Sequence, residues 1–165
     1  MSESKGFDET LNQFHDYLST ILKVYQDIII ILKQELDAVN RDDIGKLNGC
    51  LKDQQALCFR TKNFNLKIKD FQSKLGITAR NLSETIQLLP ENNRLPFFDI
   101  LGQFELTSSE VRYYQEKCRT LLQSKLYMID KALTRAHVPK GNIIYNEDAA
   151  EVQKSLFAKT LEIKF

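Results

Sequence analysis

The side chains that most often carry out chemistry are sparse in this sequence. Its two histidines, His15 and His137, have no Cys, Asp or Glu at the spacing of an HExxH or CxxC site, and we expect both at the surface. Cys50, Cys58 and Cys118 are odd in number and lack CxxC spacing, which argues against a disulfide framework or a zinc site. All three fall on apolar helical stripes, so we expect buried, reduced thiols.

Catalytic and cofactor-binding patterns are also missing from the sequence. The glycines at 45, 49, 76 and 102 are scattered and do not form a Gly-rich phosphate-binding loop. Glu35 interrupts an apolar stripe, and a single acid at such a position more often sets helix register or lies at an edge than acts as a base. We therefore expect no enzyme activity, no cofactor and no metal.

Basic residues are concentrated in one helical segment, which raises the question of nucleic-acid binding. The chain as a whole carries a formal net charge of +1 and has no Trp, and an acidic segment precedes the basic one. The positive potential that phosphate binding needs would be largely cancelled. We expect a solvated or ion-paired face and no nucleic-acid partner for these residues: Arg60, Lys62, Lys67, Lys69 and Lys74.

Length and composition are those of one helical domain. The chain has 165 residues, is 42% hydrophobic and 27% charged, and its six Gly and three Pro are few for a many-stranded β fold. It contains no run of 18 apolar residues, so we expect no stable membrane insertion. The first residues lack the apolar segment of a secretion signal, which predicts a cytoplasmic protein.

Two long helices of similar length are predicted in the first half of the chain. A heptad stripe marks the first, over about residues 7–39, and three- and four-residue steps mark the second, over about residues 42–75. Asp42 or Asp43 can cap the start of the second helix, and Gly76 can close it in the left-handed conformation. The first stripe consists of Leu11, Phe14, Leu18, Ile21, Tyr25, Ile28, Leu32 and Val39. The second consists of Leu47, Cys50, Gln54, Leu57, Thr61, Phe64, Ile68, Phe71 and Leu75.

Chain connectivity and charge both predict that these helices pair. Each would be about 50 Å long, and the short connection makes them an antiparallel hairpin. Residues 1–40 hold three Lys against seven Asp or Glu, whereas residues 41–76 hold eight Lys or Arg against four Asp. Exposed ion pairs contribute only about 0.2–1 kcal/mol each, so charge selects the partner while the apolar stripes stabilise the pair.

A short helix over residues 82–89 and a last long helix over residues 96–137 complete the predicted bundle. Asn81 and Glu84 have capping-box spacing, Pro90 ends the short helix, and Pro96 suits the first turn of the long one. About 42 residues would span about 63 Å, longer than the hairpin, so the end of this helix is expected to project. Its stripe is Phe97, Leu101, Phe104, Val111, Cys118, Leu122, Ile129 and Ala132.

Residues 138–165 form a predicted flexible tail after the helical bundle of residues 1–137. Pro139 and Gly141 interrupt the helix, and the apolar residues beyond them combine a helical with a strand-like pattern. Such a segment is suited to folding on a partner. The alternative is a tail that packs on its own bundle. The predicted fold is thus an all-α elongated three-helix bundle or coiled coil with a short connecting helix and a flexible C-terminal tail.

The order of these elements resembles that of the FlgN-type flagellar export chaperones. The resemblance rests on "ILKQELDAVNRDDIGKLNGCLKDQQAL", a second helix ending "KLG", the segment "LSETIQLLPE", the last-helix segment "CRTLLQSKLYMIDKAL", and a tail containing "IIYNEDA". It implies a cytoplasmic type III export chaperone that holds hook-associated proteins of the hook–filament junction and delivers them to the membrane export gate. Holding would need neither ATP nor a metal.

The resemblance also implies which residues contact these partners. In the family, the end of the last helix and the tail wrap a helical segment of the client. Carried onto this chain, that role falls to Leu126, Ile129, Leu133, Ile143, Ile144, Val152, Leu156, Phe157 and Leu161. Tyr145 matches a tail tyrosine that docks at the export gate.

The same helical pattern is compatible with two other hypotheses about function. The chain could be a coiled-coil adaptor or self-associating structural protein without an export role, in which the stripes pair between copies and a homodimer results. It could also hold a small molecule inside the bundle, although the stripes offer no inward polar ligands for one.

Overall fold

The computed structural model describes residues 2–136, with side chains from residue 6 onward. This part of the chain contains five α-helices and no strand: α1 (Ser2–Asn40), α2 (Ile44–Thr61), α3 (Phe64–Lys74), α4 (Leu82–Gln87) and α5 (Glu91–Arg135). The predicted all-α architecture, a hairpin joined by a long last helix in an elongated bundle, is confirmed. The predicted tail lies outside the described residues, as does His137.

The turn between α1 and α2 is fixed by two consecutive aspartates. Asp42 adopts a left-handed conformation with φ of 58°, which Asp tolerates better than most residues. The Asp43 side chain accepts a hydrogen bond of 2.9 Å from the backbone N–H of Lys46 and so caps α2. Of the two predicted capping residues, Asp43 is therefore the one that caps.

The second predicted helix is interrupted at Lys62 and Asn63, which separate α2 from α3. The Thr61 hydroxyl donates a 2.9 Å hydrogen bond to the Cys58 carbonyl, a local bond of the kind that weakens a helix. Asn63 is itself a poor helix former. The buried stripe nevertheless passes through the break, since Thr61 and Phe64 are both buried.

The ends of α3 and α4 follow the predicted capping chemistry closely. Gly76 has φ of 66°, and the Ile77 N–H donates to the Gln72 carbonyl at 2.8 Å, which closes α3 in a Schellman motif. The Asn81 side chain accepts from the Glu84 N–H at 2.8 Å. The Glu84 carboxylate accepts from the N–H of Arg80, one residue before the position that a capping box would use.

The last helix begins at Glu91, five residues before its predicted start at Pro96. Pro90 occupies the N-cap position, and the acidic Glu91 lies in the first turn, where the helix dipole favours negative charge. Pro96 therefore lies inside the helix, in its second turn, where its missing N–H removes one early hydrogen bond. At 45 residues, α5 is about 67 Å long.

Helix α1 is the central element of the bundle, and its contacts fix the direction of the others. It runs antiparallel to α2 and α3, and parallel to α5. The antiparallel contacts are Phe14 with Phe71, Tyr17 with Phe64, and Asp37 with Lys46. The parallel contacts are Phe14 with Phe97, Leu32 with Cys118, and Asn40 with Lys125.

The core contains every apolar residue that the first stripe predicted. Because α1 has neighbours on two sides, its buried surface is wider than a heptad seam and also includes Leu22, Val24, Ile29 and Ala38. The opposite charges of α1 and α2 form few direct contacts. In the described part of the chain, Lys46 and Asp37 form the one ion pair between these helices, at 2.9 Å. The apolar core therefore carries the pairing, as expected.

Candidate partner-binding surface

The predicted client-binding residues that the structure describes lie at the C-terminal end of α5. Leu126 is 46% exposed, Ile129 is 54% exposed, and Leu133 is partly buried. The other predicted positions, namely Ile143, Ile144, Tyr145, Val152, Leu156, Phe157 and Leu161, lie outside the described residues. The structure therefore brings the three helical positions together and leaves the assignment of the tail positions as a prediction.

Polar contacts with α1 and with the turn after it show where α5 passes the end of the hairpin. The Cys118 thiol contacts the Leu32 carbonyl at 3.5 Å. Seven residues later, the Lys125 ammonium donates to the Asn40 carbonyl at 3.2 Å and pairs with Asp42. Asn40 is the last residue of α1, so α5 passes the end of its neighbour here. Residues 126–135 extend for about 15 Å beyond this point.

The apolar stripe of α5 continues past the last point of burial. Leu122, Leu126, Ile129 and Leu133 are separated by steps of four, three and four residues, which places them on one side of the helix. We call these four residues the distal stripe. Cys118 is buried, Leu122 is partly buried, and Leu126 and Ile129 are about half exposed. Exposure along the stripe is therefore greatest at Leu126 and Ile129, just beyond Lys125, and Leu133 is again partly buried.

Further exposed apolar residues at this end of the bundle were not singled out as site residues from the sequence. Tyr127 and Met128 are exposed beside the distal stripe, and Ile44 is exposed in the first turn of α2. The sequence carries no signal for Ile44, because this residue lies outside the apolar stripe of the second predicted helix, which begins at Leu47.

The side chains elsewhere in the bundle that could take part in chemistry form a buried polar layer and not a reactive site. The Glu35 carboxylate is fully buried and accepts a hydrogen bond from the Gln54 side-chain amide. Burial raises the pKa of Glu35. It also raises the pKa of Cys50, and together with the Glu35 charge it raises that of Cys118 to about 12, so neither thiol is activated. Of the two structural roles expected for Glu35, the edge position is wrong, because the residue is buried inside the seam, where a role in helix register remains consistent.

The remaining candidate groups do not converge on a site. Cys50 and Cys118 are buried, Cys58 is partly buried, and all three are free thiols. His15 is partly buried and its ring lies edge-on to Phe97 at 5.4 Å, so it is not simply a surface residue. Over the described ranges, no group of three or more His, Cys, Asp or Glu could hold a metal ion.

Comparisons with protein-family models, curated proteins and solved structures find no match to this chain. None of the helices that the structure describes is long and apolar enough to cross a membrane. The fold and the distal stripe define an all-α helical bundle with an exposed apolar end.

Proposed function

We propose that this chain is a cytoplasmic flagellar type III export chaperone that binds hook-associated proteins and delivers them to the export gate. The observation that carries the proposal is the exposed distal stripe on the projecting end of α5. Leu126 and Ile129 stand beyond the contact between Lys125 and the hairpin turn. An apolar helical face with heptad-like spacing is suited to packing against an amphipathic helix of a client.

The positions of the distal stripe support capture of a short helical segment. From Leu122 to Leu133 the stripe spans about 16 Å, which is three turns of helix. Burying a Leu or Ile side chain against a client contributes about 1.5–3 kcal/mol. In this proposal the tail, including Val152, Leu156 and Phe157, wraps the client on the other side, and Tyr145 docks at the gate.

The second candidate is a coiled-coil adaptor or self-associating protein. It is favoured by the same four-three-four spacing, which would also suit pairing with the distal stripe of a second copy. A contact limited to three turns buries much less than the 1,200 Å² or so that stable interfaces bury. Self-association through this surface alone would therefore be weak.

The test compares matched variants of the full chain for binding to purified hook-associated proteins by isothermal titration calorimetry. Leu126→Ser/Ile129→Ser removes the centre of the distal stripe. Leu95→Ser/Leu106→Ser changes two exposed leucines elsewhere on α5 and serves as the control. We expect micromolar or tighter binding by the wild-type chain and the control, and about a tenfold to hundredfold loss for the stripe variant.

The same proteins distinguish the two candidates. If no hook-associated protein binds the wild-type chain at micromolar concentration, the chaperone proposal is wrong. If light scattering shows a dimer that the stripe variant dissociates and the control does not, the distal stripe is a self-association surface. Circular dichroism of both variants establishes that the helices are retained.

A further inference from the structure

A second surface runs along the outer groove between α1 and α5. Leu36 and Asn40 line it from α1, and Tyr113, Lys117 and Leu121 line it from α5, together with Glu116, Thr120 and Ser124. Counting 3.6 residues per turn, Lys117 and Tyr113 point away from Leu126, so this groove is separate from the distal stripe. Its floor is apolar, and its α5 rim is polar.

Two tyrosine–lysine pairs lie on this side of α5, the first at the groove and the second beyond Lys125, where α1 has ended. The Lys117 ammonium lies 4.6 Å from the centre of the Tyr113 ring, and the Lys131 ammonium lies 5.3 Å from that of Tyr127. Both tyrosines are exposed. The two lysines are fourteen residues apart, which is about 21 Å along the helix and nearly four full turns. We call Tyr113, Lys117, Tyr127 and Lys131 the tyrosine–lysine face.

The two acidic residues nearest before Lys117 in α5, Glu110 and Glu116, each pair with another cation. Lys33 pairs with Glu110 at 3.2 Å, and Arg119 pairs with Glu116 at 2.8 Å. By contrast, neither Lys117 nor Lys131 forms an ion pair with any carboxylate in the part of the chain that the structure covers.

The surrounding sequence is basic as well. Residues 116–135 hold five Lys or Arg against two Asp or Glu, whereas the whole chain has a net charge of only +1. A hydrogen bond with Tyr113 raises the pKa of Lys117, which remains charged at neutral pH. The complementary partner is therefore acidic.

We propose that this side of α5 binds an acidic amphipathic helix whose apolar side packs on Leu36 and Leu121 in the groove. Its carboxylates, about 21 Å apart, pair with Lys117 at the groove and with Lys131 beyond the end of α1. The apolar floor favours a helix over a nucleic acid, because a phosphate backbone would gain nothing from Leu36 and Leu121. The tyrosine rings beside each lysine add apolar contact area at the places where the carboxylates would arrive. This interaction does not depend on the proposed export role.

The probe is a fluorescein-labelled, helix-forming peptide of about 18 residues, long enough to span both lysines. It carries Leu along one side and Glu at two positions fourteen residues apart, and a partner peptide carries Lys at those two positions. Binding to the full chain is followed by fluorescence anisotropy. The variant Lys117→Glu/Lys131→Glu reverses the charge of the tyrosine–lysine face, and Lys117→Gln/Lys131→Gln removes that charge. Lys52→Glu/Lys69→Glu makes the same change of net charge at exposed lysines on α2 and α3.

We expect the acidic peptide to bind the wild-type chain and the Lys52/Lys69 control with similar Kd. Neutralisation should raise Kd, reversal should raise it by about tenfold or more, and the basic peptide should bind the reversed variant better than the wild type. The proposal is overturned if the wild-type chain does not bind the acidic peptide, or if the control loses as much affinity as the reversed variant. It is also overturned if a single-stranded oligonucleotide of similar length binds more tightly than the peptide.

Discussion

Replacing Phe64 by Ala tests whether this ring, in the first residue of α3 after the break, is buried in the core. Phe64 is 2% exposed, and its ring centroid lies 6.1 Å from those of both Tyr17 and Phe104, so it joins α3 to α1 and α5. Truncating a buried Phe removes its transfer free energy and leaves a cavity, which together cost about 3–5 kcal/mol. That is a large fraction of an ordinary stability of about 5–15 kcal/mol.

Phe59→Ala is the matched control, because Phe59 is the same residue type five positions earlier but is 73% exposed. Its ring contacts Lys62 at 5.8 Å, so its loss should change the free energy of unfolding by only about 0.5 kcal/mol. Urea denaturation followed by circular dichroism measures both variants, and Phe64→Ala should also lower Tm by about 6–20 °C. A loss below about 1 kcal/mol for Phe64→Ala, or equal losses for the two, would refute the placement of Phe64 in the core.

Three smaller changes test other local features by the same urea assay. Gly76→Ala should cost about 1–2 kcal/mol because its φ of 66° disfavours a Cβ, and Asp43→Ala should cost about 0.5–2 kcal/mol through loss of the α2 cap. A negligible loss in either variant would contradict the corresponding cap geometry. Burial raises the pKa of Glu35, so the native chain holds this proton more tightly than the unfolded chain. Its contribution to stability is therefore lost as pH rises from about 4.3 through the folded pKa, and Glu35→Gln should reduce that fall. Parallel pH profiles for wild type and variant would contradict this reasoning.

The local order of the chain could be predicted because its signals are short-range. Stripe spacing identified Leu11 to Val39 as one buried face, and the caps at Asp43, Gly76 and Asn81 depend on hydrogen bonds within four or five residues. The two errors in helix boundaries arose where more than one local signal was present. A periodic stripe hid the break at Lys62 and Asn63, and Pro96 suggested a helix start that Pro90 already supplies.

The sequence by itself determined the helical character of the chain and the antiparallel order of its first two long segments, since helix periodicity and a short turn leave few alternatives. Tertiary structure decided which apolar positions are covered. Val111 and Ile129 belong to the same stripe, yet Val111 is buried and Ile129 is 54% exposed. The difference arises because α1 ends at Asn40, where Lys125 meets the turn. The sequence predicts that the last helix projects beyond the hairpin. The residue at which its burial ends depends on how α5 is aligned with α1, and the apolar stripe of α5 does not encode that alignment.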